Sequence, residues 1–146
     1  MSINLKSTEL LLSPHPEPYC NIVISLEELK QFINSTINLG KQPIIIFGAN
    51  WCPDARLLEG TLQLPTIKKY LEERCSLLNI DVGRFERNTE LLQWFEPTIV
   101  DGIPRVFILD LHGNALNLKS NDRMRTAREQ SSQEIFNYFQ EYLWLT

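Results

Sequence analysis

The chain has 146 residues, 43% of them apolar and 22% charged, which is enough to bury one core and too few for two comfortable domains. A net charge of -4 argues against a protein that lives on nucleic acid or on an anionic membrane surface. No apolar run approaches the roughly 18–20 residues of a membrane span. Three cysteines and two histidines at irregular spacing make neither a disulfide framework nor a zinc site, so no structural metal is expected.

Residues 1–24 read as an irregular lead-in that includes the proline-rich run Ser13-Pro14-His15-Pro16-Glu17-Pro18. No basic segment precedes an apolar core here, so the stretch is not a secretory signal. The expectation is a cytoplasmic protein, or a periplasmic one if a signal has been left off. From Ser25 the pattern becomes regular, and residues 25–146 are taken as one domain. Ser25-Leu26-Glu27-Glu28 has the form of a capping box. Leu29, Phe32, Ile33 and Ile37 then recur at helical spacing until Gly40 stops the helix.

Pro43-Ile44-Ile45-Ile46-Phe47-Gly48 is a continuous β-branched run, the pattern of a strand covered on both faces. Ala49-Asn50-Trp51-Cys52-Pro53 then turns into a helix, with Pro53 suited to a first helical position. Pro65 breaks or restarts that helix. A second strand is predicted over 77–82, a helix over 86–95 and a third strand over 106–109. His112-Gly113-Asn114 is turn chemistry, and 115–118 is predicted to return as a hairpin strand. Residues 119–130 are polar, with Arg123, Arg125 and Arg128, and read as a loop or exposed helical turn. A second capping box, Ser131-Ser132-Gln133-Glu134, opens the last helix. The implied architecture is α/β, a mixed central sheet flanked by helices on both faces.

Two segments together resemble the thioredoxin superfamily. Trp51-Cys52-Pro53-Asp54-Ala55-Arg56 resembles the active-site segment Trp-Cys-x-x-Cys, and Asp101-Gly102-Ile103-Pro104-Arg105 resembles the loop whose cis proline faces it. Asn50 and the stretch Asn79-Ile80-Asp81-Val82-Gly83 look like those of bacterial thioredoxin-like proteins described as thiol–disulfide isomerases. The resemblance spans about residues 25–145 and implies a thioredoxin-like fold. It also implies that Trp51, Pro53, Ile103 and Pro104 contact an extended substrate segment beside Cys52. Two departures bear on function. Ala55 stands where the family has its resolving cysteine, and Ile46 where many thioredoxins keep a buried carboxylate.

A thiolate at a helix N-terminus is stabilised by unpaired amides and the helix dipole, which makes Cys52 the candidate nucleophile. Without a cysteine at position 55 it acts only as a monothiol, and a second thiol must come from outside. That favours isomerase- or deglutathionylation-like exchange on protein or glutathione mixed disulfides, with glutathione as a co-substrate and no other cofactor. Cys75 reads as a buried core thiol, and Cys20, in the proline-rich arm, as the one internal partner within reason. The bland readings stand alongside. Cys52 is a retained small residue in a binding module, Pro104 merely begins a strand, Trp51 is an edge core residue, and the arginines of 119–130 form a solvated face. A third reading makes Ala55 a replacement for cysteine in an ordinary dithiol oxidoreductase. Expected partners are protein disulfides or thiols, with no nucleic acid or membrane, and the chain is expected to be a monomer.

Overall fold

A computed structural model of the chain describes residues 2–99 and 101–144. The first regular element is helix α1, Leu26–Asn38. Ser25 caps it as its residues predict: the Glu28 N–H donates to Ser25 Oγ at 3.0 Å, and the Ser25 N–H donates to Glu28 Oε1 at 2.9 Å. Gly40, at φ 76°, turns the chain in a left-handed conformation that suits glycine. Strand β1, Gln42–Gly48, follows and is buried along its whole length.

That burial follows from its place in the sheet. Strand β2, Cys75–Asp81, pairs parallel to β1, and β3, Arg105–Ile108, pairs antiparallel, giving the order β2-β1-β3. Side chains alternate between faces along a strand, and the central strand therefore feeds two separate cores. Ile44 and Ile46 join Val106 and Ile108 in one core, under α2 (Pro53–Leu62), α3 (Pro65–Arg74) and α5 (Ser132–Tyr142). Ile45 and Phe47 join Phe107 and Ile80 in the other, under α1 and α4 (Thr89–Phe95). Full burial of each such side chain is worth about 1.5–3 kcal/mol. The fold is therefore α/β, with a mixed sheet covered by helices on both sides.

The lead-in is irregular but not loose. The Leu5 N–H donates to Gln133 Oε1 at 2.7 Å and the Ile3 N–H to Gln140 Oε1 at 2.6 Å, both on α5. Further along, Glu9 stands in for a missing cap at α3. Its carboxylate accepts from the Thr66 N–H and the Thr66 hydroxyl, each at 2.7 Å, satisfying donors that a helix start leaves open.

Two expectations need correcting. No fourth strand forms over 115–118: only Ala115 makes an isolated bridge, to Leu109, and Leu118–Ser120 is a 3₁₀ turn. The reason is Asn117. Its carboxamide accepts from the Ile108 N–H at 2.9 Å and donates to the Val106 carbonyl at 2.8 Å, while the Val106 N–H donates to the Asn121 carbonyl. One buried side chain thus takes the hydrogen bonds a partner strand would take. The second correction concerns 119–130. Arg123–Glu129 is a 3₁₀ segment whose Met124 and Ala127 are fully buried in the same core as α2 and α5, so it is more than an exposed polar loop.

Candidate active site

β1 ends at Gly48, and loop 49–52 carries the chain to the start of α2. Cys52 is the N-cap of that helix, with extended backbone and no side-chain cap bond, and Pro53 begins the first turn. Pro53 has no N–H to leave unsatisfied, which is why it is tolerated there. The Cys52 carbonyl accepts from the Arg56 N–H at 3.1 Å, closing the first helical turn. Its side chain points the other way, across the end of the sheet: Sγ donates to the Ile103 carbonyl at 3.7 Å. The segment after α4 and the segment after β1 thus meet at the thiol. The Ile103–Pro104 peptide bond is cis, and Pro104 leads directly into β3.

Cys52 is only 6% exposed. Ala55, one turn into α2, is buried in the same hydrophobic cluster as Cys52. Trp51 is 42% exposed. Its indole Nε1 donates to the Gly83 carbonyl at 2.7 Å, and the Arg84 guanidinium sits 4.9 Å from its ring centre. Trp51 and Pro53, with Ser13, Pro14, His15, Arg56, Leu57 and Arg128, line a surface cleft of about 280 Å³.

The Asp54 carboxylate is offset by Arg128, whose backbone N–H and Nε donate to Asp54 Oδ1 at 2.8 and 3.3 Å. Arg56 turns to the proline-rich arm, which offers it two carbonyls, of His15 at 2.8 Å and of Pro16 at 3.4 Å. The arginines of 119–130 are likewise not all solvated bystanders. The Arg125 guanidinium packs against Gly102, at φ 89°, where a Cβ would come within 2.5 Å of its Cζ. Asp81 closes the end of β2, accepting from the Asn21 N–H at 2.8 Å and the Gly83 N–H at 2.7 Å.

The other two cysteines lie apart. Cys75 is paired in register with Gln42 at the start of β1, whereas Cys52 follows its far end, Gly48. Six strand residues separate those ends by about 20 Å, far beyond disulfide reach. Its Sγ donates to the Leu71 carbonyl at 3.1 Å, and burial pushes the thiol up to about 12. Cys20 is exposed on the arm. Among the described residues no group of three or more histidine, cysteine or acidic side chains is placed to hold a metal, and no helix is long and apolar enough to cross a membrane.

The residues that sequence reasoning passed over are Tyr19 and Asn50 as a pair. Asn50 drew notice only through the resemblance, and Tyr19 lay in a stretch read as irregular. The available signal was Gly48, since a glycine ending a buried strand often marks the close approach of another group.

This arrangement is similar to that of the thioredoxin superfamily: a β1-to-α2 turn carrying Cys52 and a proline loop closing over it from the start of β3. Within that class it is disulfide-isomerase-like. The crystal structure of a disulphide isomerase from Xylella fastidiosa Temecula1 matches with a TM-score of 0.77 at 29% identity, covering 86% of this chain and 96% of that one. An N21Q mutant thioredoxin from Halobacterium salinarum NRC-1 matches with a TM-score of 0.54 at 17% identity, over 88% of this chain and 91% of that one, a likeness of fold. No protein-family model matches the sequence, and no curated protein does.

Proposed function

We propose that the protein carries out monothiol thiol–disulfide exchange through Cys52, on protein or glutathione mixed disulfides. The observation that carries this reading is the pairing of one thiol, at a helix N-cap against the Ile103 carbonyl, with Ala55 at the inward position one turn on. In the first step the Cys52 thiolate attacks one sulfur of a disulfide. A Cys52–substrate disulfide forms, and the other sulfur leaves as a thiolate. In the second step an outside thiolate attacks the mixed disulfide and returns Cys52. The two steps exchange partners with no net oxidation at Cys52, which is the balance that isomerisation or deglutathionylation requires. A substrate segment lying along 101–104 would add its backbone beside Ile103 and Pro104, with Trp51 and Pro53 forming the opposite wall.

The low exposure of Cys52 favours a second reading, a non-catalytic module that holds polypeptides in the same groove. Covalent capture separates the two. The full chain, incubated with oxidised glutathione, is expected to gain one glutathione on Cys52 by mass spectrometry and to lose it when reduced glutathione is added. Cys52→Ser is expected to gain none beyond what the exposed Cys20 takes up, which Cys20→Ser removes. An unmodified Cys52 after prolonged incubation would leave only the binding module.

A further inference from the structure

Tyr19 is the one phenylalanine, tyrosine or tryptophan among residues 1–24, yet it is only 6% exposed and packs in one cluster with Ala49, Cys52 and Ala55. The loop that carries Cys52 grips it. The Tyr19 N–H donates to Asn50 Oδ1 at 3.0 Å, and Asn50 Nδ2 donates to the Tyr19 carbonyl at 2.6 Å. A carboxamide bonded to both backbone groups of one residue fixes its register much as a neighbouring strand does. The ring then enters the space left by Gly48. A Cβ there would lie 2.6 Å from Tyr19 Cζ and closer still to the hydroxyl, so any side chain at 48 would evict the ring. A glycine at the end of a buried central strand gives up side-chain packing, and here the phenol fills that volume.

The arm is anchored on either side of this point. Upstream, Arg56 holds the His15 and Pro16 carbonyls. Downstream, the Asn21 N–H bonds Asp81, and the Asn88 carboxamide bonds both the Ile22 carbonyl and the Ile24 N–H. The anchors from α2, β2 and the start of α4 cluster at the end of the sheet where Cys52 lies. Burial, and after it the charge of Glu59, makes the phenol hold its proton tightly.

We infer that Tyr19 is a positioning residue for Cys52: wedged against Gly48 and gripped by Asn50, it holds loop 49–52 so that the thiol points at the Ile103 carbonyl. The inference rests on Cys52 being a working thiol. It makes the arm a wall of the active site.

The test compares two reactions of Cys52 in the full chain. Adduct formation with oxidised glutathione requires the sulfur to be held in line with the groove, whereas alkylation by iodoacetamide does not. Tyr19→Ala and Gly48→Ala are expected to slow adduct formation about tenfold or more, since an ångström of misplacement is worth up to about a hundredfold. Alkylation of Cys52 should not slow, and Cys75 should stay unreactive. Tyr19→Phe keeps the ring and both bonds to Asn50, and its adduct rate should stay within about twofold of wild type. If Gly48→Ala fails to fold, Asn50→Ala takes its place, because it removes both bonds and leaves the strand intact. Wild-type adduct rates in Tyr19→Ala, or a Tyr19→Phe as slow as Tyr19→Ala, would overturn the inference. So would Cys75 becoming alkylated in step with Cys52, which would mean plain loosening of the fold. Failure of the wild-type chain to form any adduct would instead strike at the proposed function itself.

Discussion

Asp54 and Arg128 lie 74 residues apart in the chain and meet at two points, through the Arg128 backbone N–H and its Nε. The carboxylate belongs to the first turn of α2 and the arginine to the 3₁₀ segment packed against that helix. The pair therefore decides how much negative charge stands beside the thiolate formed during exchange.

Asp54→Asn keeps an oxygen to accept from the Arg128 N–H while removing that charge. Charges near a helix start are worth about 0.3–1 kcal/mol when exposed, so adduct formation at Cys52 should quicken about twofold to fivefold. Arg128→Ala leaves the carboxylate uncompensated and should slow it by a similar factor. Stopped-flow measurement of adduct formation at low and high salt checks both, since screening should shrink each difference. Equal rates in all three proteins would mean that the charge does not reach the sulfur.

Installing a second thiol changes the fate of the adduct. Ala55→Cys places a sulfur at the inward position one turn after Cys52, where attack on a mixed disulfide becomes intramolecular. The adduct lifetime should shorten by at least about tenfold without added thiol, and reduced substrate should leave in a single encounter. The wild-type adduct should persist under the same conditions, and Cys75→Ser should not alter its lifetime. A wild-type adduct that clears unaided, and slows in Cys20→Ser, would assign the second step to Cys20.

The buried thiol and phenols predict an alkaline limit to stability. Burial raises Cys75 to about 12, whereas a thiol in the unfolded chain ionises near 8.5. Above that lower value the unfolded state binds fewer protons than the folded one, and stability falls as pH rises. The Cys75 contribution is complete below about pH 8.5 and disappears by about pH 12, at up to about 1.4 kcal/mol per unit in between. Burial also raises Tyr19, Tyr70 and Tyr138, which adds the same sign at higher pH. Urea midpoints should decline from pH 8 to pH 10, and Cys75→Ala should flatten the decline over that interval. A slope unchanged by Cys75→Ala would show that the thiol is not protected in the folded protein.

Asn117 is expected to be among the most costly polar residues to remove. Asn117→Ala leaves the Ile108 N–H and the Val106 carbonyl without the partner that now serves both. Each buried group left unbonded costs about 1–3 kcal/mol, so destabilisation of about 2–6 kcal/mol should appear in denaturant titration. A loss below about 1 kcal/mol would mean that water or residues 115–118 take over the edge of β3.

Much of the fold could be read from local pattern. The β-branched run 43–47 lies at the centre of the sheet because its residues have no polar face to turn outward. Ser25 and Ser131 mark helix starts through bonds spanning three residues, which sequence spacing displays directly. Cys52 and Ile103 were paired through resemblance, and Sγ does face that carbonyl. What stayed hidden depends on contacts distant in sequence. Asn117 replaces a strand only because the edge of β3 passes beside it. Arg56 reaches across to the arm only because the arm presents the His15 and Pro16 carbonyls there. Tyr19 gave no periodic signal, since the pattern that explains it is a hole at residue 48, on another segment.

The ties between the arm and α5 also set an order of assembly. Tyr19 meets Asn50 and Glu9 meets Thr66, so these contacts can close once the first third to half of the chain exists. Ile3 and Leu5, by contrast, bond Gln140 and Gln133, across separations of 137 and 128 residues. Closing so long a loop is entropically costly until the intervening structure shortens it. During synthesis the arm should therefore settle from its Tyr19 end back towards its beginning, and its first residues can dock only after α5 has emerged.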